Sequence, residues 1–126
     1  MKKEIVATEK APKAIGPYSQ GTKSGGFVFV SGQLPVDPAT GEFPAGGIKE
    51  QAVQSLKNVK AVLEASGSSL ENVLKTTVFL QDIKDFTAFN EVYAEFFKTD
   101  CPARSCIQIA ALPKGALVEV EAIAAV

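Results

Sequence analysis

The sequence contains no histidine, and its only arginine is Arg104; every other basic residue is a lysine. The absence of histidine excludes Ser-His and Cys-His nucleophile pairs, the usual imidazole general base and the most common metal ligand. Two cysteines, Cys101 and Cys106, are too few for a disulfide framework, and their spacing is not CxxC. Without histidine a zinc site would need carboxylates as well, so the simplest interpretation makes both cysteines small buried hydrophobes.

The chain also lacks an excess of charge and a long apolar segment. Its net charge is -1 and its pI about 5.5, with scattered lysines, which argues against nucleic-acid binding. No apolar run reaches the roughly 18 residues of a membrane span. The start, Met1–Val6, lacks the apolar region of a signal peptide. We therefore expect a single domain, residues 1–126, in the cytoplasm with no membrane partner.

Hydrophobic periodicity predicts two helices and six strands. The first helix, 49–65, carries an apolar stripe and ends before Gly67; the second is marked by aromatic residues between Phe86 and Phe96. Strands are expected at 5–7, 19–22, 27–31, 73–80, 104–109 and 117–126, with a hairpin at 24–26. This order suits a two-layer α/β sandwich in which both helices cover one face of a six-stranded sheet.

The last strand is almost wholly apolar apart from Glu119 and Glu121. Such a strand needs cover on both sides, and two helices supply cover on one side only. We therefore infer that the other sheet face packs against further copies of the chain.

Arg104 lies two residues after Pro102 and opens an apolar strand. A guanidinium is a planar fork that grips a carboxylate or phosphate through two hydrogen bonds. A hairpin through the turn 112–115 would bring Arg104 opposite the segment 119–123, with an uncertainty of one or two residues in register. Glu119 and Glu121 alternate with valine and so share one face. Two interpretations are open: exposed charges, or a carboxylate beside Arg104 that acts as an acid/base group.

Three other residues are ambiguous from their patterns alone. Cys106 lacks the histidine or helix N-terminus that would form a thiolate, so its backbone N–H is a better candidate than its sulfur. Tyr18 follows a rigid Gly-Pro turn and suits a core tyrosine as well as a site residue. Asn90 lies among charged neighbours and is interpreted as a surface residue. No P-loop or GxGxxG motif supports phosphate binding.

Several motifs, in order, resemble the signature of the Rid (YjgF) family over nearly the whole chain. They are Ala14–Gln20, Val30–Gln33, Lys75–Leu80, Pro102–Cys106, Leu112-Pro113 and Val118–Ala122. The chain most resembles the RidA branch, whose members hydrolyse reactive enamine and imine intermediates. The resemblance implies a chorismate mutase-like fold with a mixed sheet. It also implies a homotrimer with active sites between subunits, and no cofactor or metal.

The resemblance also assigns roles to residues. Arg104 would bind the substrate carboxylate, the Cys106 backbone would help to hold the substrate, and Glu119 would orient and activate water. The pocket would be completed by Tyr18, Gly32 and Asn90. Cys101 stands where relatives often carry an aromatic residue, which leaves the size of the substrate open.

The expected function is that of a cofactor-free deaminase of 2-enamino and 2-imino acids of the 2-aminoacrylate type. It would release a 2-oxo acid and ammonia. One alternative is a module that binds or senses a small carboxylate such as a 2-oxo acid in the same cleft. A nuclease or translation inhibitor is less favoured because the protein is acidic. A chaperone-like holdase activity, the preferred imine and any redox role of the cysteines have no signal in the sequence.

Overall fold

The computed structural model describes residues 1–126 and contains a six-stranded sheet and two α-helices. The strands are β1 (Glu4–Val6), β2 (Gly21–Ser24), β3 (Phe27–Gln33), β4 (Val73–Leu80), β5 (Ala103–Gln108) and β6 (Val118–Ala125); the helices are α1 (Ile48–Ala65) and α2 (Phe86–Phe96). The predicted order of elements and the two-layer α/β class are confirmed. Neither helix is both long enough and apolar enough to cross a bilayer.

Strand β2 lies two residues later than the sequence pattern predicts, at 21–24 instead of 19–22. The hairpin turn consists of Gly25 and Gly26 alone, with φ of 61° and 86°, so Ser24 still pairs with Phe27. A two-residue turn with both φ values positive matches the twist of the flanking strands, and pairing therefore continues up to the turn.

The order of strands in the sheet is β1-β2-β3-β6-β4-β5, with β5 parallel to β4 and all other neighbours antiparallel. The predicted hairpin between the last two strands is wrong, because β4 lies between them. Parallel strands need a crossover connection, and α2 is the crossover from β4 to β5. The segment after β5 then passes β4 and places β6 beside β3. Neither Glu119 nor Glu121 is therefore on a strand adjacent to that of Arg104.

The hydrophobic core lies between the helices and one face of the sheet. Its fully buried members include Leu56 and Leu63 from α1, Phe89 from α2, and Val118 and Val120 from β6. Strand β6 is hydrogen-bonded on both sides, by β3 and β4, which explains why its helix-facing positions are uniformly apolar.

The opposite sheet face, here called the open face, has no helix on it. It carries apolar side chains that stay accessible: Phe29 is 48% exposed and Ile107 47% exposed, and Phe79 and Ile123 are half-buried. Exposed apolar surface of this kind is typical of a protein interface. Cover of this face by other copies of the chain stays a prediction.

One buried amide fixes the segment that precedes β2. The Gln20 side chain is 4% exposed, and its Oε1 accepts a hydrogen bond from the Thr8 N–H at 2.7 Å. Its Nε2 lies 2.7 Å from the carbonyl oxygen of Pro12, 3.0 Å from that of Thr8 and 3.2 Å from that of Ala11. Gln20 therefore anchors the loop that leads to Tyr18.

We predict that Gln20→Ala lowers the free energy of unfolding by about 1–3 kcal/mol, because backbone groups of the loop lose buried partners. Urea denaturation at one fixed protein concentration measures the change. Gln81→Ala is the control, since that amide makes one long bond of 3.5 Å to the Ala110 carbonyl. Equal, small effects of the two substitutions would contradict the anchoring role.

Candidate active site

The Arg104 side chain lies on the helix side of the sheet. Arg104 pairs with Thr76 of β4 in parallel register, and Thr76 is fully buried under the helices. Paired residues project to the same face, so the guanidinium reaches α2. Its Cζ lies 4.7 Å from the centre of the Tyr93 ring and 5.4 Å from that of Phe86. The cation is thus placed against two aromatic rings, an arrangement that stabilises it without neutralising it.

No carboxylate of the chain pairs with Arg104. Its one hydrogen bond within the chain runs from Nη1 to Asn90 Oδ1, at 2.8 Å, and the ion pairs of the chain join Lys23 to Glu4 and Lys49 to Glu91. Asn90 is therefore a half-buried partner of Arg104, and its interpretation as a surface residue is wrong. The remaining N–H groups of the guanidinium are free to bind an anion in a bidentate manner.

Arg104 borders a cavity of about 470 Å³. The other lining residues are Asn90, Tyr93, Ala94, Phe97, Cys101 and Pro102. Cys101 is exposed, and its thiol donates to the Phe97 carbonyl at 3.3 Å, so it is not the buried hydrophobe that the sequence suggests. It lies at the rim of the hollow that contains the guanidinium.

Cys106 projects to the same side as Arg104 and packs against the edge of the core. Burial raises the pKa of the Cys106 thiol above its ordinary value, and the opposing effect of the Arg104 charge is smaller. The thiol is therefore protonated at neutral pH, which disfavours a nucleophilic sulfur.

The backbone of Cys106 is better placed than its sulfur. The Ile109 N–H donates to the Leu80 carbonyl at 3.0 Å, and a parallel ladder uses alternate residues of each strand. Since Ile109 faces β4, Cys106, three residues earlier, directs its N–H and C=O away from β4. Strand β5 is an edge strand, so these two groups lie at the free edge of the sheet. These two groups are available to a ligand beside Arg104.

Glu119 lies on the open face. It pairs with Phe79 on β4, whereas its neighbours Val118 and Val120 point into the core. Arg104 and Glu119 of one chain are therefore on opposite faces of the sheet, and the proximity predicted from the sequence does not occur within the chain.

The Glu119 carboxyl packs directly against the backbone of Gly32. A Cβ at position 32 would come within 2.8 Å of Glu119 Cδ, so any larger residue there would displace the carboxyl from this position. Gly32 lies in the irregular part of β3, between Val30 and Gln33, where the register with β6 shifts. A local bulge in one strand thus makes room for an acidic group on its neighbour.

The two glutamates of β6 differ in environment. Burial, and secondarily the negative charge of Glu121, raise the pKa of the Glu119 carboxyl above its ordinary value. Glu121 is exposed on the same face. A partly desolvated carboxyl with a raised pKa is the better acid/base candidate, so the structure separates two residues that the alternating pattern could not.

Tyr18 is 54% exposed, so its interpretation as a core tyrosine is wrong. Its hydroxyl oxygen accepts a hydrogen bond from the Ile15 N–H at 3.2 Å. The loop is tied to β3, because Ser31 Oγ donates to the Ser19 carbonyl at 2.5 Å and the Ser31 N–H donates to the Gln20 carbonyl at 2.9 Å. Tyr18 therefore precedes a segment that is hydrogen-bonded to Ser31, the residue before Gly32.

The six residues predicted for the site thus form two groups in one chain. The Arg104 group comprises Asn90, Arg104 and Cys106. The Glu119 group comprises Tyr18, Gly32 and Glu119. Each group is internally connected through contacts or through the backbone of one strand.

Two neighbours of Arg104, Phe86 and Tyr93, were not predicted from the sequence. Both marked only the helix periodicity, yet both rings lie against the guanidinium, and the Tyr93 hydroxyl is hydrogen-bonded to Thr76. The available signal was weak: Tyr93 is the only polar-tipped aromatic residue in the apolar stripe of α2.

Comparison with known proteins gives a consistent result. The model of the family described as Endoribonuclease L-PSP matches residues 8–126. A RutC family protein of Pyrococcus horikoshii is 55% identical over 97% of either chain. The human 2-iminobutanoate/2-iminopropanoate deaminase is 48% identical over 97% of this chain and 89% of its own. The crystal structure of Escherichia coli TdcF with bound serine has 50% identity and a TM-score of 0.93, covering 98% of each chain.

The raised pKa of Glu119 predicts a dependence of stability on pH. The folded state binds the Glu119 proton more tightly than the unfolded state, so the stabilisation is present at low pH and is lost as the pH rises through the folded pKa. Glu119→Gln should therefore be more stable than the parent at pH 7, with a gain that shrinks towards about pH 4. Denaturation at both pH values measures this.

Glu64→Gln, at an exposed position of α1, is the matched control. A loss of stability in Glu119→Gln at pH 7 would show that the carboxylate is stabilised in the fold, contrary to this account.

Proposed function

We propose, because this chain belongs to the Endoribonuclease L-PSP family, also known as the Rid (YjgF) family, that it is a hydrolytic deaminase of reactive 2-imino acids. The substrates would be short 2-enamino acids of the 2-aminoacrylate type and the imines that they form. The products would be a 2-oxo acid and ammonia, and the proposed reaction uses no cofactor. Relatives named as deaminases support the reaction class.

The observation that carries the proposal is the unpaired Arg104. A half-buried guanidinium held by an amide and two rings, with no carboxylate of its own, suits a small carboxylate ligand. The cavity beside it has room for a substrate of a few carbon atoms. The outward backbone groups of Cys106 supply one donor and one acceptor near the bound acid.

A complete site requires two copies of the chain. The Arg104 group and the Glu119 group lie on opposite faces of one sheet, so a substrate cannot contact both groups of the same chain. The apolar open face supports association through that surface. We infer a homotrimer in which each of three sites combines the Arg104 group of one subunit with the Glu119 group of the next.

The chemistry follows from these positions. Arg104 fixes the carboxylate and the Cys106 backbone orients the imine. Glu119 accepts a proton from water as the oxygen attacks the imine carbon and passes that proton to the imine nitrogen, which gives a tetrahedral carbinolamine. Glu119 then takes the proton of the new hydroxyl and delivers it to the amino nitrogen as the C–N bond breaks, so the 2-oxo acid and ammonia are released. Imines hydrolyse readily in water, so positioning and one acid/base group are sufficient.

A binding or sensing module for a small carboxylate is the second candidate. Arg104 supports both functions equally, and the TdcF structure contains bound serine, itself a carboxylate. Glu119 favours catalysis, because a negative charge near the site adds nothing to the binding of an anion. The net charge of -1 does not support a nuclease, although the family is described as an endoribonuclease family.

The assembly can be tested by mass. We predict a particle near three times the chain mass of 13.3 kDa in sedimentation equilibrium at micromolar concentration. A stable monomer under these conditions would leave the open face uncovered and would contradict a site between subunits.

Arg104→Lys should lose most of the activity although it keeps the charge, because an ammonium cannot form the bidentate bond. Loss of one charge-assisted bond corresponds to roughly a 10- to 100-fold lower kcat/KM. The assay is 2-oxo acid release from 2-iminobutyrate generated in situ. Lys84→Arg, at an exposed position, is the control. A Lys variant with parental kinetics would mean that the site recognises charge alone or lies elsewhere.

Glu119→Gln and Glu121→Gln should differ sharply in the same assay. Removal of a positioned acid/base group lowers turnover by roughly 10²- to 10⁴-fold, less where the uncatalysed rate sets a floor. Glu119→Gln should still bind pyruvate, as strongly as the parent or more so, because a nearby negative charge is gone. Glu121→Gln should turn over at nearly the parental rate.

The pattern of the two variants also decides between the candidate functions. An inactive Glu121 variant beside an active Glu119 variant would show that the roles are assigned to the wrong glutamate. Unimpaired turnover of both would remove acid/base catalysis from β6, whereas a parent and variants that do not exceed the uncatalysed rate would favour the binding module.

A further inference from the structure

The Tyr93 ring makes two contacts at once. Thr76 and Arg104 are register partners on β4 and β5, and both project towards α2. The hydroxyls of Tyr93 and Thr76 are 2.7 Å apart and hydrogen-bonded, while the face of the Tyr93 ring lies 4.7 Å from Arg104 Cζ. One side chain of the crossover helix thus covers a pair of neighbouring residues on the sheet.

The ring has little freedom to move. Tyr93 is 6% exposed and packs on Phe89 and Phe97, with ring centres 5.6 Å and 4.7 Å apart. Its hydroxyl bond to Thr76 fixes its tilt, and its pKa is raised by burial, so the hydroxyl stays neutral. The guanidinium therefore rests on a rigid surface rather than on a mobile side chain.

We propose that Tyr93, locked by Thr76, is a positioning residue that holds the Arg104 guanidinium in the orientation needed to bind a carboxylate. This inference rests on the proposed function, whose substrate carboxylate is the ligand of Arg104. Asn90 occupies Nη1 on one side and the Tyr93 ring occupies one face. The other N–H groups then present a fixed fork to the cavity, so the site selects a planar carboxylate over a neutral group of similar shape.

The selectivity between a charged and a neutral ligand distinguishes a positioning role of Tyr93 from a general contribution to stability. Without the Tyr93 ring, the guanidinium keeps only the Asn90 amide and the more distant Phe86 ring as neighbours, so a carboxylate must then bind a less ordered cation. A neutral ligand that does not depend on the guanidinium loses much less. The ratio of the affinities for pyruvate and pyruvamide therefore reports on the orientation of Arg104, whereas partial unfolding lowers both affinities together.

The experiment measures the dissociation constants of pyruvate and pyruvamide by calorimetry for the parent, Tyr93→Leu, Tyr93→Phe and Thr76→Val. Tyr93→Leu removes the cation–π contact and should lower the pyruvate preference by about 3- to 30-fold. Tyr93→Phe keeps the ring and removes the hydroxyl bond to Thr76, so the pyruvate preference should fall by about 2- to 5-fold. Thr76→Val should match it, and the double variant should be no worse than either single one.

Val92→Ala is the control for stability, since Val92 is buried on the same helix and does not line the Arg104 cavity. It should lower stability and leave the preference unchanged. An unchanged preference in folded Tyr93→Leu would overturn the proposal. If that variant does not fold, unchanged preferences in Tyr93→Phe and Thr76→Val overturn it equally.

The outcomes also separate this inference from the proposed function. A parent that prefers pyruvate but releases no ammonia from 2-iminobutyrate would refute the deaminase and leave the test of Tyr93 valid. A parent without any preference for pyruvate would show that Arg104 binds no carboxylate, and the positioning role would be refuted with it.

Discussion

The position of β4 between β5 and β6 is the constraint on which the rest of the site depends. Helix α2 connects β4 to β5 as a parallel crossover, so Arg104 projects towards that helix and receives Asn90 and Tyr93 from it. The chain then passes β4 before β6 begins, and the alternation along β6 directs Glu119 to the open face. The strand order thus places the Arg104 guanidinium and the Glu119 carboxyl of one chain on opposite faces of the sheet.

This separation keeps both groups available for a ligand. In a hairpin of the last two strands, Arg104 and an adjacent glutamate would form an ion pair, which would occupy the guanidinium and lower the pKa of the carboxyl. In the fold, Arg104 has an amide and two rings as neighbours, and the pKa of Glu119 is raised by burial. Within one chain the anion site and the acid/base candidate therefore do not neutralise each other.

The sequence predicted those features that depend on local pattern. Apolar periodicity located both helices, and the alternation with valine placed Glu119 and Glu121 on one face of the last strand. Strand order could not be predicted in this way, because the turn 112–115 resembles a hairpin connection and only long-range pairing excludes it. The resemblance to the Rid family supplied the six predicted site residues, but not their division between two faces. The contacts of Tyr93 were missed because they join α2 to two strands, β4 and β5, that are distant in the sequence.

The most direct test of the account is complementation between two inactive variants. Arg104→Ala and Glu119→Gln are refolded together in equal amounts, and oligomers that contain both are isolated through distinct affinity tags. If each site takes Arg104 from one subunit and Glu119 from the next, one of the three sites in every trimer that contains both variants regains both residues, so about one third of the sites recover and imine hydrolysis returns in proportion. Mixed oligomers as inactive as the separate variants would contradict a site shared between subunits.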